Sequence, residues 1–115
     1  MMLNESEYQA RLDDYAGLKE GWNSYDAAPI TPEAIATARR FSPDHCPIAF
    51  WPVPTPHGGI QIEIHQEGYD FEIEILPDGQ RFGYCWTNLD DAWVDDGVAS
   101  EAEVRTLIAR VAGGR

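Results

Sequence analysis

Ile60-Gln61-Ile62-Glu63-Ile64-His65-Gln66-Glu67-Gly68-Tyr69-Asp70-Phe71-Glu72-Ile73-Glu74-Ile75 is the stretch whose reading decides the fold. Its apolar residues come at every second position, first as Ile60, Ile62 and Ile64, then as Tyr69, Phe71, Ile73 and Ile75. A strand sends successive side chains to opposite faces, so this period of two predicts a β-hairpin with one greasy and one charged face. With Glu67-Gly68 as a two-residue turn, Gln66 pairs with Tyr69, His65 with Asp70, Glu63 with Glu72 and Gln61 with Glu74. The polar face then carries Glu63, Asp70, Glu72 and Glu74 together. Like charges directly opposite one another destabilise a sheet by roughly 0.2–1 kcal/mol per pair. A protein with this arrangement either solvates it cheaply or uses it.

Outward from the hairpin, Pro77-Asp78-Gly79 reads as a turn. Phe82, Tyr84 and Trp86 then alternate with Arg81, Gly83 and Cys85 in a further strand. On the other side, His57-Gly58-Gly59 is a turn, and Ile48-Ala49-Phe50-Trp51 can form a short strand. Five prolines lie between Pro43 and Pro56, which suits an edge position, because proline cannot donate to a ladder. Asn4 and Glu7 have capping-box spacing ahead of Tyr8, Leu12, Tyr15 and Leu18, which predicts an amphipathic helix of about four turns ended by Gly21. Trp22 and Tyr25 follow it and are expected to cap the core. Thr31-Pro32-Glu33 starts a second helix that buries Ala34, Ile35, Ala38 and Phe41 and stops at Ser42-Pro43. Asn88 to Gly97 reads as an acidic loop with Trp93 and Val94 at its centre. Ser100 and Glu103 cap a last helix with the stripe Val104, Leu107, Ile108 and Val111. The expected architecture is one α+β domain, residues 1–115, in the order ααββββα, with an antiparallel meander packed against helices on one face.

Charge narrows the function. The 115 residues hold 20 acidic and 8 basic side chains, a net charge of -12. From Glu63 to Glu103, twelve acids face Arg81 alone, so that one stretch carries a net charge of −11. Nucleic-acid binders neutralise phosphates with Lys and Arg, so direct binding to DNA or RNA is disfavoured, as is an anionic membrane surface. The field attracts basic protein surfaces. No run of eighteen apolar residues and no leader pattern follows Met1, so a cytoplasmic location is expected. Cys46 and Cys85 match no metal or redox spacing and are expected as reduced thiols.

Chemical alternatives are thin. Glu63, His65, Asp70 and Glu72 share one sheet face and could ligate a metal, although with one imidazole on an open surface. The plain alternative is a cross-strand His65–Asp70 pair. Glu63 and Glu72 could be a paired-carboxylate acid and base, but that chemistry needs a cleft. Cys46 beside His45, and Ser24 and Ser42, lack a nucleophile's setting. Gly58-Gly59 is not followed by a phosphate-loop pattern. No cofactor motif is present. Trp93, among Asp90, Asp91, Asp95 and Asp96, has the make-up of an interface anchor with a polar rim, or of a loop pinned to the core.

Three segments carry a resemblance. They are Leu18-Lys19-Glu20-Gly21-Trp22-Asn23-Ser24-Tyr25, the run from Pro54 to His65, and the run from Asp70 to Gly79. Together they resemble a family of small uncharacterised bacterial and phage-associated proteins. Its members carry a Gly-Trp-x-x-Tyr loop, a "PTP-x-GG-x-Q-x-E-x-H" strand and a "D-x-E-I-E-I-x-PDG" strand. The resemblance covers most of residues 12 to 79 and implies no site assignment. It does imply that Trp22, Gln61, Glu63, His65, Asp70 and Glu72 belong to one pattern. In size and charge the chain is also similar to anti-CRISPR proteins and DNA mimics.

The reading expected from the sequence is a non-enzymatic binding or inhibitor protein. Glu63, Asp70, Glu72 and Glu74 of the hairpin, with Asp90, Asp91, Trp93, Asp95 and Asp96, would occupy the basic surface of a partner, such as a nucleic-acid enzyme, in the manner of an anti-CRISPR protein or antitoxin. The alternatives are a small metal-binding protein or metal-dependent hydrolase using Glu63, His65, Asp70 and Glu72, and a homodimer or structural subunit assembled through the Pro43–Pro56 edge or the Trp51 region.

Overall fold

The computed structural model describes the backbone of residues 3–41, 49–66, 69–88 and 93–112, and the side chains of residues 3–41, 51–64, 71–85 and 98–109. Two helices come first, α1 (Glu5–Ala16) and α2 (Pro32–Arg40). Five strands follow: β1 (Ala49–Pro54), β2 (Ile60–Gln66), β3 (Tyr69–Ile75), β4 (Phe82–Asn88) and β5 (Trp93–Ala99). The last element is α3 (Glu101–Ala112). The strands form one antiparallel meander in the order β1-β2-β3-β4-β5. This is the expected α+β arrangement of helices, strands and helix, with one addition. Trp93–Ala99 is a strand paired to β4 and not a loop, so the order is ααβββββα.

The hairpin register is the one its alternation dictates, with Glu63 opposite Glu72, Gln61 opposite Glu74, and Gln66 opposite Tyr69. Ile60, Ile62, Ile64, Ile73 and Ile75 have no exposed surface, and Phe71 almost none. Burying one such side chain contributes about 1.5–3 kcal/mol relative to leaving it in water. They join Tyr8 and Leu12 of α1, Ala34, Ile35 and Ala38 of α2, and Val104 of α3 in one core, so all three helices cover the same face of the sheet.

The helix starts form as their caps require. The Asn4 side chain accepts from the Glu7 N–H at 2.8 Å, and the Glu7 carboxylate accepts from the Asn4 N–H at 3.0 Å. Ser100 and Glu103 exchange the same pair of bonds before α3. α1 is shorter than expected. It ends at Ala16 because the Gly17 N–H folds back on the Asp14 and Tyr15 carbonyls, while Gly21 sits in the following turn with a φ of 77°. Trp22 packs against the core and donates its indole N–H to the Ala28 carbonyl at 2.8 Å. Tyr25 does not cap the core and is 82% exposed. The Asn23 carboxamide accepts from the Tyr25 N–H and Ser24 takes a φ of 70°, so the chain reverses and turns Tyr25 outward.

α2 is fastened to two turns of the sheet. The Thr31 N–H donates to the Gly58 carbonyl, and its hydroxyl donates to the Pro77 carbonyl while accepting from the Ala34 N–H as the helix cap. Six residues later, the Thr37 hydroxyl donates to the Gly79 carbonyl at 2.6 Å. Gly79 has a φ of 70°, and a Cβ there would stand 2.5 Å from the Glu33 carbonyl oxygen. Only glycine meets both demands. Among the described residues no helix is long and apolar enough to cross a membrane.

Candidate functional site: the open acidic face of the sheet

With the helices on one side, the other face of the sheet is left to the second half of the alternation. Register lines its residues into rungs running across the strands. One rung is Trp51–Glu63–Glu72–Cys85–Asp96, and the next is Val53–Gln61–Glu74–Gly83–Val98. A third runs through Ala49, His65, Asp70 and Thr87.

Hydrogen-bond phase sets how closely these side chains approach. The Thr55 N–H donates to Gly59 and the Leu76 N–H to Arg81, each pair continuing its ladder's register. Bonded pairs alternate along an antiparallel ladder. Counting on from Leu76–Arg81 makes Glu74–Gly83 and Glu72–Cys85 bonded pairs of β3 and β4. Glu63–Glu72 and Gln61–Glu74 are therefore non-bonded pairs of β2 and β3, in which Cα atoms stand only about 4.5 Å apart. The two glutamates meet where side chains are closest.

Glu72 is exposed, whereas Glu63 and Glu74 are half-buried. Gln61 donates to the Glu63 carboxylate at 3.3 Å, and the Cys85 thiol donates to Glu72 at 3.7 Å. Among the described residues no arginine or lysine lies against Glu72 or Glu74. Other acids are spent locally. Asp78 accepts from the Gln80 and Arg81 N–H groups and pairs with the Arg81 side chain at 2.7 Å. Those bonds, the Arg81 backbone first, hold its carboxyl down at about 2. Glu101 lies between Arg40 at 2.6 Å and Arg105 at 3.1 Å, and the hydrogen bond from Arg40 chiefly holds its pKa below the usual carboxylate range. Glu103 is lowered by its capping bond from the Ser100 N–H. Asp13 pairs with Arg39 at 2.6 Å.

A shallow hollow of about 340 Å³ opens on this face, lined by Gln61, Glu72, Glu74, Gly83, Cys85 and Val98 among others. Gly83 makes room for it. A Cβ there would meet nothing closer than the Glu74 Cβ at 3.8 Å, so the backbone does not require glycine and its missing side chain leaves the space. At the β1 end the character changes. Trp51 is half-buried, and the Arg11 guanidinium lies over its ring, 4.1 Å from the centroid.

The expected site residues divide accordingly. Glu63, Glu72 and Glu74 are on one face, as the alternation required. Asp70 and His65 hold paired positions on the same face, though their side chains fall outside the described residues. Trp93, Asp95 and Asp96 belong to β5, with Asp96 opposite Cys85, and not to a loop. Asp90, Asp91, Cys46 and His45 lie outside the described residues. Among those described, no group of three or more His, Cys, Asp or Glu side chains is arranged to hold a metal ion. Sequence reasoning missed the part played by Gly83 and Val98. The signal was present, because Gly83 interrupts an otherwise bulky strand at an outward position. The chain matches no family model, no curated protein and no solved structure.

Proposed function

We propose that the open face of the sheet is an anionic docking surface and that the protein works without catalysis, by occupying the basic surface of a partner in the cytoplasm. The partner class that fits is a nucleic-acid-binding enzyme or complex, which makes the protein an inhibitor of the anti-CRISPR or antitoxin kind. The observation that carries this reading is the division among the acids. Asp78, Glu101, Glu103 and Asp13 are engaged in caps and local ion pairs. Glu72 and Glu74 stand beside Glu63 on the open face, and among the described residues no arginine or lysine lies against Glu72 or Glu74. Carboxylates about 7 Å apart along a strand and 5 Å apart across it form an array that Arg and Lys side chains can meet. Association with such a surface is fast and salt-dependent.

The test is affinity capture from a host extract at low and high salt, followed by quantitative binding of the captured protein. A basic nucleic-acid-binding partner, released by salt and displaced by duplex DNA, supports the reading. Equal affinity and an equal salt slope for the Glu63→Lys, Glu72→Lys double variant would overturn it.

A further inference from the structure

The two edges of the sheet are built differently. In β1 the bonded pairs with β2 are Trp51–Glu63 and Val53–Gln61, counted from Thr55–Gly59, so residues 52 and 54 turn their backbone nitrogens outward. Both are prolines with no N–H to offer. The Pro52 carbonyl is already taken by the Tyr15 hydroxyl at 2.9 Å. Over Pro52 and Pro54 that edge is closed to further pairing in the way edge strands are commonly protected.

β5 is the opposite case. The phase of β3 and β4 turns Phe82, Tyr84 and Trp86 toward β5, which makes Phe82–Ala99, Tyr84–Gly97 and Trp86–Asp95 the bonded pairs. The N–H and C=O of Asp96 and Val98 therefore point away from the sheet. Among the described residues no further strand pairs with them, and β5 contains no proline. Val98 is also 70% exposed, unusual for a branched aliphatic residue inside a strand. It forms the outer wall of the hollow above Gly83, whose far wall is Glu72 and Glu74.

We propose that the outer edge of β5 accepts an extended basic segment of the partner as a sixth strand, so that binding combines backbone pairing with the acidic face. This rests on the docking reading above and specifies how the partner engages. Strand addition draws affinity from main-chain bonds and specificity from alternate side chains. A sixth strand lies about 10 Å from β4, two strand spacings away. An arginine on its outer face crosses Val98, lays its aliphatic stem on that side chain and places its guanidinium in the hollow against Glu74 and Glu72. Charge decides the occupant. A second copy of this chain would bring two bodies of net charge -12 together along a seam carrying Asp95 and Asp96 on both sides. A basic strand is attracted to the same seam.

The probe is a short labelled peptide alternating arginine with valine, read by fluorescence anisotropy against the full chain. A second peptide of identical charge is N-methylated at the one amide that would face the Val98 carbonyl. Val98→Pro removes the outward N–H of β5 without touching the β4 ladder, where an edge proline is tolerated. We expect N-methylation and Val98→Pro each to weaken binding by about tenfold, the worth of one lost backbone bond, and Glu72→Gln with Glu74→Gln to weaken it at least as much. Binding that falls only on the glutamine substitutions overturns the sixth strand and leaves the acidic face standing. Binding that none of these changes affects, or no binding, overturns both. Concentration-dependent dimerisation in light scattering, abolished by Val98→Pro, overturns the basic occupant in favour of a second copy.

Discussion

Glu63 and Glu72 stand opposite each other at a non-bonded position of the β2–β3 ladder, the closest approach an antiparallel pair allows. If this costs folding energy, removing one charge returns it. Glu72→Gln is expected to stabilise the protein by about 0.2–1 kcal/mol in urea unfolding at low salt, with the gain shrinking as salt screens the pair. A loss of stability would mean that the bond Glu72 accepts from the Cys85 thiol outweighs the repulsion from Glu63.

Gly79 answers to the backbone. Its φ of 70° and the Glu33 carbonyl oxygen 2.5 Å from where a Cβ would stand leave no room for alanine. Gly79→Ala is expected to cost more than about 1 kcal/mol, measured as a drop in urea midpoint at unchanged slope. Gly83→Ala is the contrast. It enters open space and should leave stability within roughly 0.5 kcal/mol of the parent, while it narrows the hollow and weakens any cationic ligand there.

Thr37→Val keeps the shape of the side chain and deletes the hydroxyl that donates to Gly79. The acceptor is buried, so the expected cost is about 1–3 kcal/mol, the penalty for an unsatisfied carbonyl. Thermal unfolding of the single variant and of Thr37→Val with Gly79→Ala should show the two effects to be non-additive, since they share one contact.

Asp78 supplies a pH signature. Its folded pKa is lowered to about 2 from an ordinary 3.8. A depressed carboxyl contributes stability that is fully present above the unfolded pKa and is lost as pH falls through the folded one. The loss should therefore lie between about pH 4 and pH 2. Glu101, lowered chiefly by the bond from Arg40, adds to the same acid limb. Acid titration monitored by circular dichroism should show a shallower stability loss over that window in Asp78→Asn than in the parent. Identical slopes would place the Asp78–Arg81 contact outside the stabilising set.

The strands that bury one face were legible because alternation has a single solution. Ile60 to Ile64 and Phe71 to Ile75 cannot slip by one residue without turning isoleucines into water, which fixes the faces, while the exact register rested on reading Glu67-Gly68 as a two-residue turn, and the observed pairing agrees with it. β5 was not legible. Trp93-Val94-Asp95-Asp96-Gly97 sets two aspartates and a glycine in a row, a composition poor in strand formers, and its pairing with β4 is a tertiary effect that local preference cannot reveal. α1 was over-extended for a related reason. Leu18 keeps the apolar period, but the chain has already turned at Gly17, and Leu18 packs half-buried against the core from a loop. Glu63, Glu72 and Glu74 fall on one face, as the alternation required. The Glu101–Arg105 pair has the i,i+4 spacing of a helix and could have been read, whereas Arg40 meets Glu101 from another helix 61 residues away, a contact with no trace in sequence spacing.

Thr31 bonds at once to the turn at Gly58, the turn at Pro77 and its own helix. Its bond to Pro77 spans 46 residues, and that of Thr37 to Gly79 spans 42. Contacts so distant in sequence are slow to form, because long loops must close before they reward the chain. The isoleucine hairpin is local and can assemble first, leaving the docking of α2 as the closing step of folding. Weakening Thr31 should then leave the refolding rate almost unchanged and accelerate unfolding, so that this threonine governs how long the folded molecule lasts rather than how quickly it appears.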